Sequence, residues 1–442
     1  MERSARRFSL LVCAAACVGV GLVALAGDLT PPAGPVAPTM KSLDEVEPRT
    51  AINATNTPGD SNSVYRISQP GSYYLTGNVT APAGDSAIEV ASADVTVDLN
   101  GFALFGEVGS MDGVTVNPGT RQVLITNGSI SDFDGYGVQS DGPLCTVERL
   151  RVDGCGLTGI LLNGLYANVV RDCIVSNNGT EGIDVSGQRS QILRCVAVNN
   201  SGYGIAGGPA GTISECLATG NHFAGYFVNG ASNVVDCTAE SNQLEGFLVG
   251  ASVTMRGCNA TGNQSGGISM FSGGGTIVEC TVDSNQNTGI IAASGTRISS
   301  CTVVLNTGHG ISVGSNCVIT GCEIRLNDND GIVGGSDNYF ADNQCDTNGV
   351  GISDGAGIHV TGSDNRIDNN NVLDNDRGID VDSAGNIIMR NTCSGNTTNF
   401  DIAANNRYGE IVNVPGAGTP AVAGLSAAGT LTTGDPWANF SY

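Results

Sequence analysis

Residues 173–183 read CIVSNNGTEGI, and the same phrase returns down the chain. It is CVAVNNSGYGI at 195–205, CLATGNHFAGY at 216–226, CTAESNQLEGF at 237–247 and CNATGNQSGGI at 258–268. It continues as CTVDSNQNTGI at 280–290, CTVVLNTGHGI at 301–311 and CEIRLNDNDGI at 322–332. With the cysteine as position zero, +5 is Asn, +9 is Gly and +10 is Ile, Tyr or Phe in all eight copies.

The frame extends beyond the cysteines. Position zero falls at Asn100, Gly128 and Leu150 before them, and at Asn343, Asn370 and Asn391 after them. Position −3 is apolar in all fourteen coils, from Val97 to Ile388, and +2 is Ala, Cys or a larger apolar residue. Inward residues at zero and +2, and again at +10 and +12, follow the two-residue period of strands. Gly at +9 is expected to turn a sharp corner with positive φ. Asn at +5 belongs at a turn, where it tolerates left-handed backbone and can bond the Asn of the next coil. That column holds eleven asparagines in succession, from Asn178 to Asn396.

Repeats of this length, each adding strands to its neighbour, define a solenoid. The expected fold is all-β: a right-handed parallel β-helix of about fourteen coils, with an N-terminal cap and a C-terminal tail. Stacking at about 4.8 Å per coil makes a rod of roughly 65 Å. Right-handedness follows the general preference of parallel crossovers. Leucine-rich repeats share the period, but these coils have few leucines and no 3.6-residue pattern.

The pattern resembles the parallel β-helix repeat of the pectin lyase-like superfamily, over roughly residues 85–402. The apolar −3, Asn at zero, apolar +2, Asn at +5 and Gly-Ile at +9/+10 are that repeat's marks. The resemblance implies the fold and leaves function open, since the superfamily holds lyases, polygalacturonases, epimerases, tailspikes and other secreted proteins. Cys in place of Asn at position zero in eight coils is this chain's departure.

Arg3, Arg6 and Arg7 precede an apolar run from Phe8 to Leu25, and Ala24-Leu25-Ala26 is a cleavage-type signal. Residues 1–26 therefore read as a secretory signal peptide. A membrane anchor is the alternative. No second apolar run long enough to span a membrane is present, and the expected location is secreted, periplasmic or cell-surface. Residues 27–62, rich in Pro, Ala, Thr and Asn, read as a leader or linker. Residues 63–404 read as the β-helix, whose start at 64–90 serves as the cap, and 405–442 as the tail.

The chain carries 42 acidic against 19 basic side chains, a net charge of −23. Such a surface repels nucleic acid and anionic membranes. A polysaccharide or cell-surface glycan, neutral or bridged by cations, is the expected partner.

Of the cysteines, the column of eight invites a disulfide reading. Parallel Cβ vectors about 4.8 Å apart sit beyond the roughly 3.8 Å that a disulfide needs, so a buried thiol column fits better. Position +11 should point outward, yet it holds Phe227, Leu248, Ile291 and Val333. Such a stripe needs a cover, for which the tail is a candidate, or it is a binding face.

Chemistry is sparser. Gly308-His309-Gly310 resembles a polygalacturonase segment, but the carboxylates that enzyme needs upstream would fall at Asn287 and Thr288. No Lys lies in the coils, which leaves Arg as the base a lyase of this fold would need. Residues 328–382 hold twelve Asp. An insertion around residues 349–357 and a shortened coil after Asn370 interrupt the repeat there, where solenoids build function. In register, His359 and Asp380 share the outward +11 column on adjacent coils, with Arg377 and Asp382 beside them. His359, Asp380, Asp382 and Arg377 are thus the candidate catalytic residues. They could act as a general base with carboxylates or hold a divalent cation such as calcium. No certain cofactor is implied.

Two functions fit. One is a non-catalytic surface, adhesion or carbohydrate-binding protein. The other is an enzyme, a lyase, hydrolase or epimerase, acting on an acidic polysaccharide at the 353–382 coils. The incomplete catalytic set favours the first.

Overall fold

The computed structural model describes residues 47–350, 355–413 and 433–441. The expected signal peptide, most of the leader and part of the tail lie outside them. The chain divides into two compact units, 1–48 and 49–442, and the second carries all the coils.

Successive coils stack strand on parallel strand. Among the described residues one sheet has sixteen strands, from Ser63–Ile67 through Ile183–Val185 and Tyr226–Val228 to Thr398–Ile402. The other has thirty-two and wraps the remaining two faces. It carries the −3 strands, such as Val169–Arg171 on Gln191–Leu193, and the +1 to +3 strands, such as Ile174–Ser176 on Val196–Val198. These two columns fuse where Val123–Ser131 and Thr146–Asp153 run through the corner unbroken.

Sixteen rungs exceed the fourteen that the repeat frame counts. The stretch expected to be a cap forms two full rungs, Ser63–Ile67 paired with Ser86–Val90. Those coils lack the Asn and Gly columns, and apolar alternation alone does not fix a frame. Thr50–Ile52, within the expected leader, already pairs with Gly71–Leu75.

Inward side chains form one continuous apolar core. The Asn column runs through its wall. Asn200 Nδ2 donates to Asn221 Oδ1 at 3.0 Å, Asn221 to Asn242 at 3.0 Å, and so on to Asn375 and Asn396 at 3.0 Å. Each Oδ1 also accepts the backbone N–H of the preceding coil's Asn. The amides thus satisfy turn backbone that the sheets cannot reach.

The left-handed residues are not where the sequence places them. They fall at −6 (Ala167, Arg189, Ala210), at −1 (Asp172, Arg194, Glu215) and at +4 (Asn177, Asn199, Ser241). Gly at +9 is retained for space instead. A Cβ on Gly204 would lie 2.6 Å from Asn221 Nδ2 and 2.7 Å from the Gly225 carbonyl oxygen.

All thirteen cysteines of the described residues are free and buried. Along the column the thiols donate to carbonyls two residues back, as from Cys195 Sγ to the Leu193 oxygen at 3.3 Å. Burial pushes the Cys145 thiol up to about 12.

The tail closes the rod at its C-terminal end. Asn439–Ser441 lies between Thr392–Ser394 and Ile411–Asn413, pairing with both. Asn439 is buried and extends the zero column, accepting from the Asn391 N–H at 3.0 Å. Trp437 packs on Arg390, whose guanidinium sits 5.4 Å from the ring centre. These strands sit at the end rather than along the stripe, and Ile291 of that stripe is 40 % exposed.

Candidate functional site

The +11 residues form one outward line on the sixteen-stranded sheet. The pairing runs Asp184, Ala206, Phe227, Leu248 and Ser269, then Ile291, Ser312 and Val333, then His359, Asp380 and Asp401. Aromatic groups gather near one end of it and charged groups at the other.

At the charged end, His359 and Asp380 are register partners, as the repeat predicts. His359 Nε2 lies 3.1 Å from Asp382 Oδ2 and 3.9 Å from Asp380 Oδ2. Arg377 donates to Asp380 at 2.5 Å and stands 3.6 Å from Asp401. All four candidate residues are brought together.

The sequence reading missed the fifth member. Asp330 is buried one coil earlier, accepts the Ala356 N–H at 2.8 Å, and takes His359 Nδ1 at 3.2 Å. It fills the +8 slot that His309 fills in the coil before. His309 Nδ1 is 3.2 Å from the same carboxylate without the alignment of a hydrogen bond. The signal was a His and an Asp in consecutive coils of one column, followed by the insertion that places Ala356.

Hydrogen bonding to Asp330 raises the His359 imidazole to about 9, assisted by Asp382 and opposed by partial burial. Burial pushes Asp330 up, but His309, His359 and the Ala356 N–H outweigh it and hold the carboxyl at about 2. Burial also raises Asp380, against the pull of Arg377. At neutral pH His359 is therefore an imidazolium with both nitrogens donating. It has no lone pair for general-base work. The group is a network of two cations among four carboxylates.

His359, Asp380 and Asp382 could also bring ligand atoms to one point, all within 4.8 Å of one another. Asp330 holding Nδ1 would orient Nε2 toward an ion. One nitrogen and two carboxylates fit a transition metal better than calcium, which takes six to eight oxygens. An ion there would have to displace the His359 proton, and Arg377 already occupies an Asp380 oxygen.

At the aromatic end, the Tyr203 and Phe227 rings stack with centres 5.1 Å apart, and Phe227 and Phe271 lie parallel at 6.5 Å. Phe223 meets Tyr203 edge-on at 5.4 Å. Phe271 and Phe223 are exposed, and the other two are half-buried. Beside them a depression of about 170 Å³ is lined by Tyr203, Phe227, Asp184, Glu181, Ser186 and Asn229. Burial raises the Asp184 carboxyl, with Ser186 opposing. Only Phe227 of this row was singled out from the sequence, because the others occupy +7, +8 and +13.

A family model described as "Right handed beta helix region" matches residues 66–210 and 206–345. The chain belongs to this right-handed β-helix family, and its architecture is of the pectin lyase-like kind. Among solved structures it is similar to the A-module of the Azotobacter vinelandii mannuronan C-5 epimerase AlgE4. That likeness has 18% identity and a TM-score of 0.45, covering 67% of this chain and 90% of that one. A double mutant of the periplasmic alginate epimerase AlgG aligns at 9% identity and TM-score 0.39, covering 77% and 82%. The Dettilon tailspike protein aligns at 17% identity and TM-score 0.32, covering 72% and 59%. No curated protein matches the sequence. No helix among the described residues is long and apolar enough to cross a membrane.

Proposed function

We propose that the chain is a non-catalytic carbohydrate-binding protein of the cell exterior, holding a glycan along the +11 line. The observation that carries this reading is the stacked row Tyr203, Phe227 and Phe271 beside a small polar depression. Pyranose rings present apolar C–H faces edged by hydroxyls. The apolar aromatic row gives a surface against which such faces can pack, while carboxylates and amides such as Asp184 and Asn229 take the hydroxyls. From Phe227 to His359 the line crosses six coil steps, roughly 29 Å at about 4.8 Å each. That length accommodates several sugar units.

A polysaccharide-active enzyme remains the second reading, supported by the raised Asp380 carboxyl beside His359. It requires a step that the imidazolium performs as an acid rather than a base.

Affinity electrophoresis through gels of neutral and acidic polysaccharides tests the first reading, with an assay for reducing ends and unsaturated products beside it. Retardation by a glycan without product, reduced in Phe227→Ala, is the expected result. Product formation abolished in Asp380→Asn moves the assignment to the enzyme. Migration unaffected by every glycan removes the binding reading.

A further inference from the structure

A concavity also lies on a different face, where Val123–Ser131 and Thr146–Asp153 run unbroken through the corner. It is about 340 Å³ in volume, and its lining includes Arg149, Arg151, Asn127, Ser129, Asp172 and Ile174. We propose that this notch binds the oxyanion group of a small acidic sugar, either a carboxylate or a sulfate ester. The sugar part rests on the carbohydrate reading above, while the anion contact stands on the notch itself.

Three observations converge. The first is two outward guanidinia on one strand. Arg149, at a left-handed corner, and Arg151 flank the inward Leu150, and both line the concavity. The second is that one is fixed and the other is free. Arg149 is held by Glu148 at 2.6 Å and donates to Thr126 Oγ1 at 3.1 Å. Glu148 is itself buried and shared with Arg171 at 2.5 Å. The Arg151 guanidinium and the Ser129 hydroxyl have no ion-pair or hydrogen-bond partner among the described residues. The third is local charge. The charged residues lining the notch are Arg149, Arg151 and Asp172, two cations against one carboxylate, in a chain with 42 acids and 19 bases.

A preorganised cation, an uncommitted cation and a free hydroxyl around one concavity supply the donors that an oxyanion needs. The acidity of the remaining surface repels an extended polyanion, so the fit is to a singly charged sugar or a chain end.

The test is isothermal titration of the full chain at low ionic strength with glucuronate, inorganic sulfate and neutral methyl glucoside. Arg151→Glu is the variant, since that side chain is exposed and unpaired and its reversal leaves the Glu148 network intact. Binding of glucuronate or sulfate, weakened at least tenfold in Arg151→Glu and screened by salt, is expected. Glucuronate alone identifies a carboxylate site, and both anions identify a general oxyanion site. Absence of binding by either anion, or equal affinity in Arg151→Glu, overturns the proposal. Retention on a neutral glycan gel, lost in Phe227→Ala but kept in Arg151→Glu, separates this site from the aromatic row.

Discussion

Replacing Asn263 with Ala removes one rung from the amide ladder, and its cost can be worked from the bonds it makes. Asn263 Oδ1 accepts the Asn242 N–H at 3.1 Å and the Asn242 Nδ2 at 3.0 Å. Its Nδ2 donates to Asn285 Oδ1 at 2.8 Å and to the Ala239 carbonyl at 3.2 Å. Asn285 Oδ1 keeps a donor, the Asn263 backbone N–H at 3.1 Å. Two donors on Asn242 lose their acceptor inside a dry wall, where Asn242 and Asn263 are fully buried. At roughly 1–3 kcal/mol for each buried unsatisfied group, the expected loss is about 4 kcal/mol. Water cannot easily repair it, because Gly246 and Ala260 close the site. Asn396 is half-buried at the end of the same ladder, so Asn396→Ala should cost less, on the order of 1 kcal/mol. Neighbouring Gln264 is exposed, and Gln264→Ala should fall within about 0.5 kcal/mol of the parent. Urea denaturation followed by far-UV circular dichroism reads all three, with hydrogen exchange of the Asn242 amide as the local probe. An Asn263→Ala protein no less stable than Gln264→Ala, with Asn242 still protected, would falsify the argument that the amides hold the turn.

Other outcomes rest on the same geometry. The His359 imidazole, raised to about 9 from its ordinary 6.5, contributes stability fully present below about 6.5 and lost as pH rises through about 9. Asp330, held at about 2, contributes stability present above about 4 and lost as pH falls through about 2, so the cluster is most stabilising between about 4 and 6.5. An NMR titration of the His359 ring with its midpoint near 6.5 would contradict the described contacts. Gly204→Ala should destabilise by about 2–3 kcal/mol through forced repacking, seen as a lowered urea midpoint; an unchanged midpoint would mean the coil has room to relax. The thirteen cysteines should resist a thiol reagent in the folded protein and all react in denaturant, and rapid labelling of the native state would show the column to be accessible.

The repeat made much of this protein legible because each coil is bonded only to its neighbours. A column in the sequence is a column in space. That locality gave the stacking of Asn178 to Asn396, the outward line through Phe227 and Leu248, and the register that sets His359 against Asp380. It also put Arg377 and Asp382 at the same place. The secretory signal rests on residues outside those described and stays an expectation.

Where columns carried no marks, the sequence fell short. The two first rungs use alternation without the Asn and Gly columns, so the count stopped at fourteen rather than sixteen. The tail strand Asn439–Ser441 joins the ladder across 48 residues, and no period links it to Asn391. The glycine at +9 was read as a corner and is instead a gap left for the amide above it, because φ and free space look alike in one dimension. Asp330 reaches His359 across different columns, and that contact depends on side-chain direction and on the Ala356 N–H. It converts a candidate base into an imidazolium. The sequence by itself determined the coil, its faces and which residues share a rung. Only the tertiary structure decided which side chains meet across columns and which are dry, and therefore the charge state of His359, the stacking of Tyr203 on Phe227 and the uncommitted Arg151.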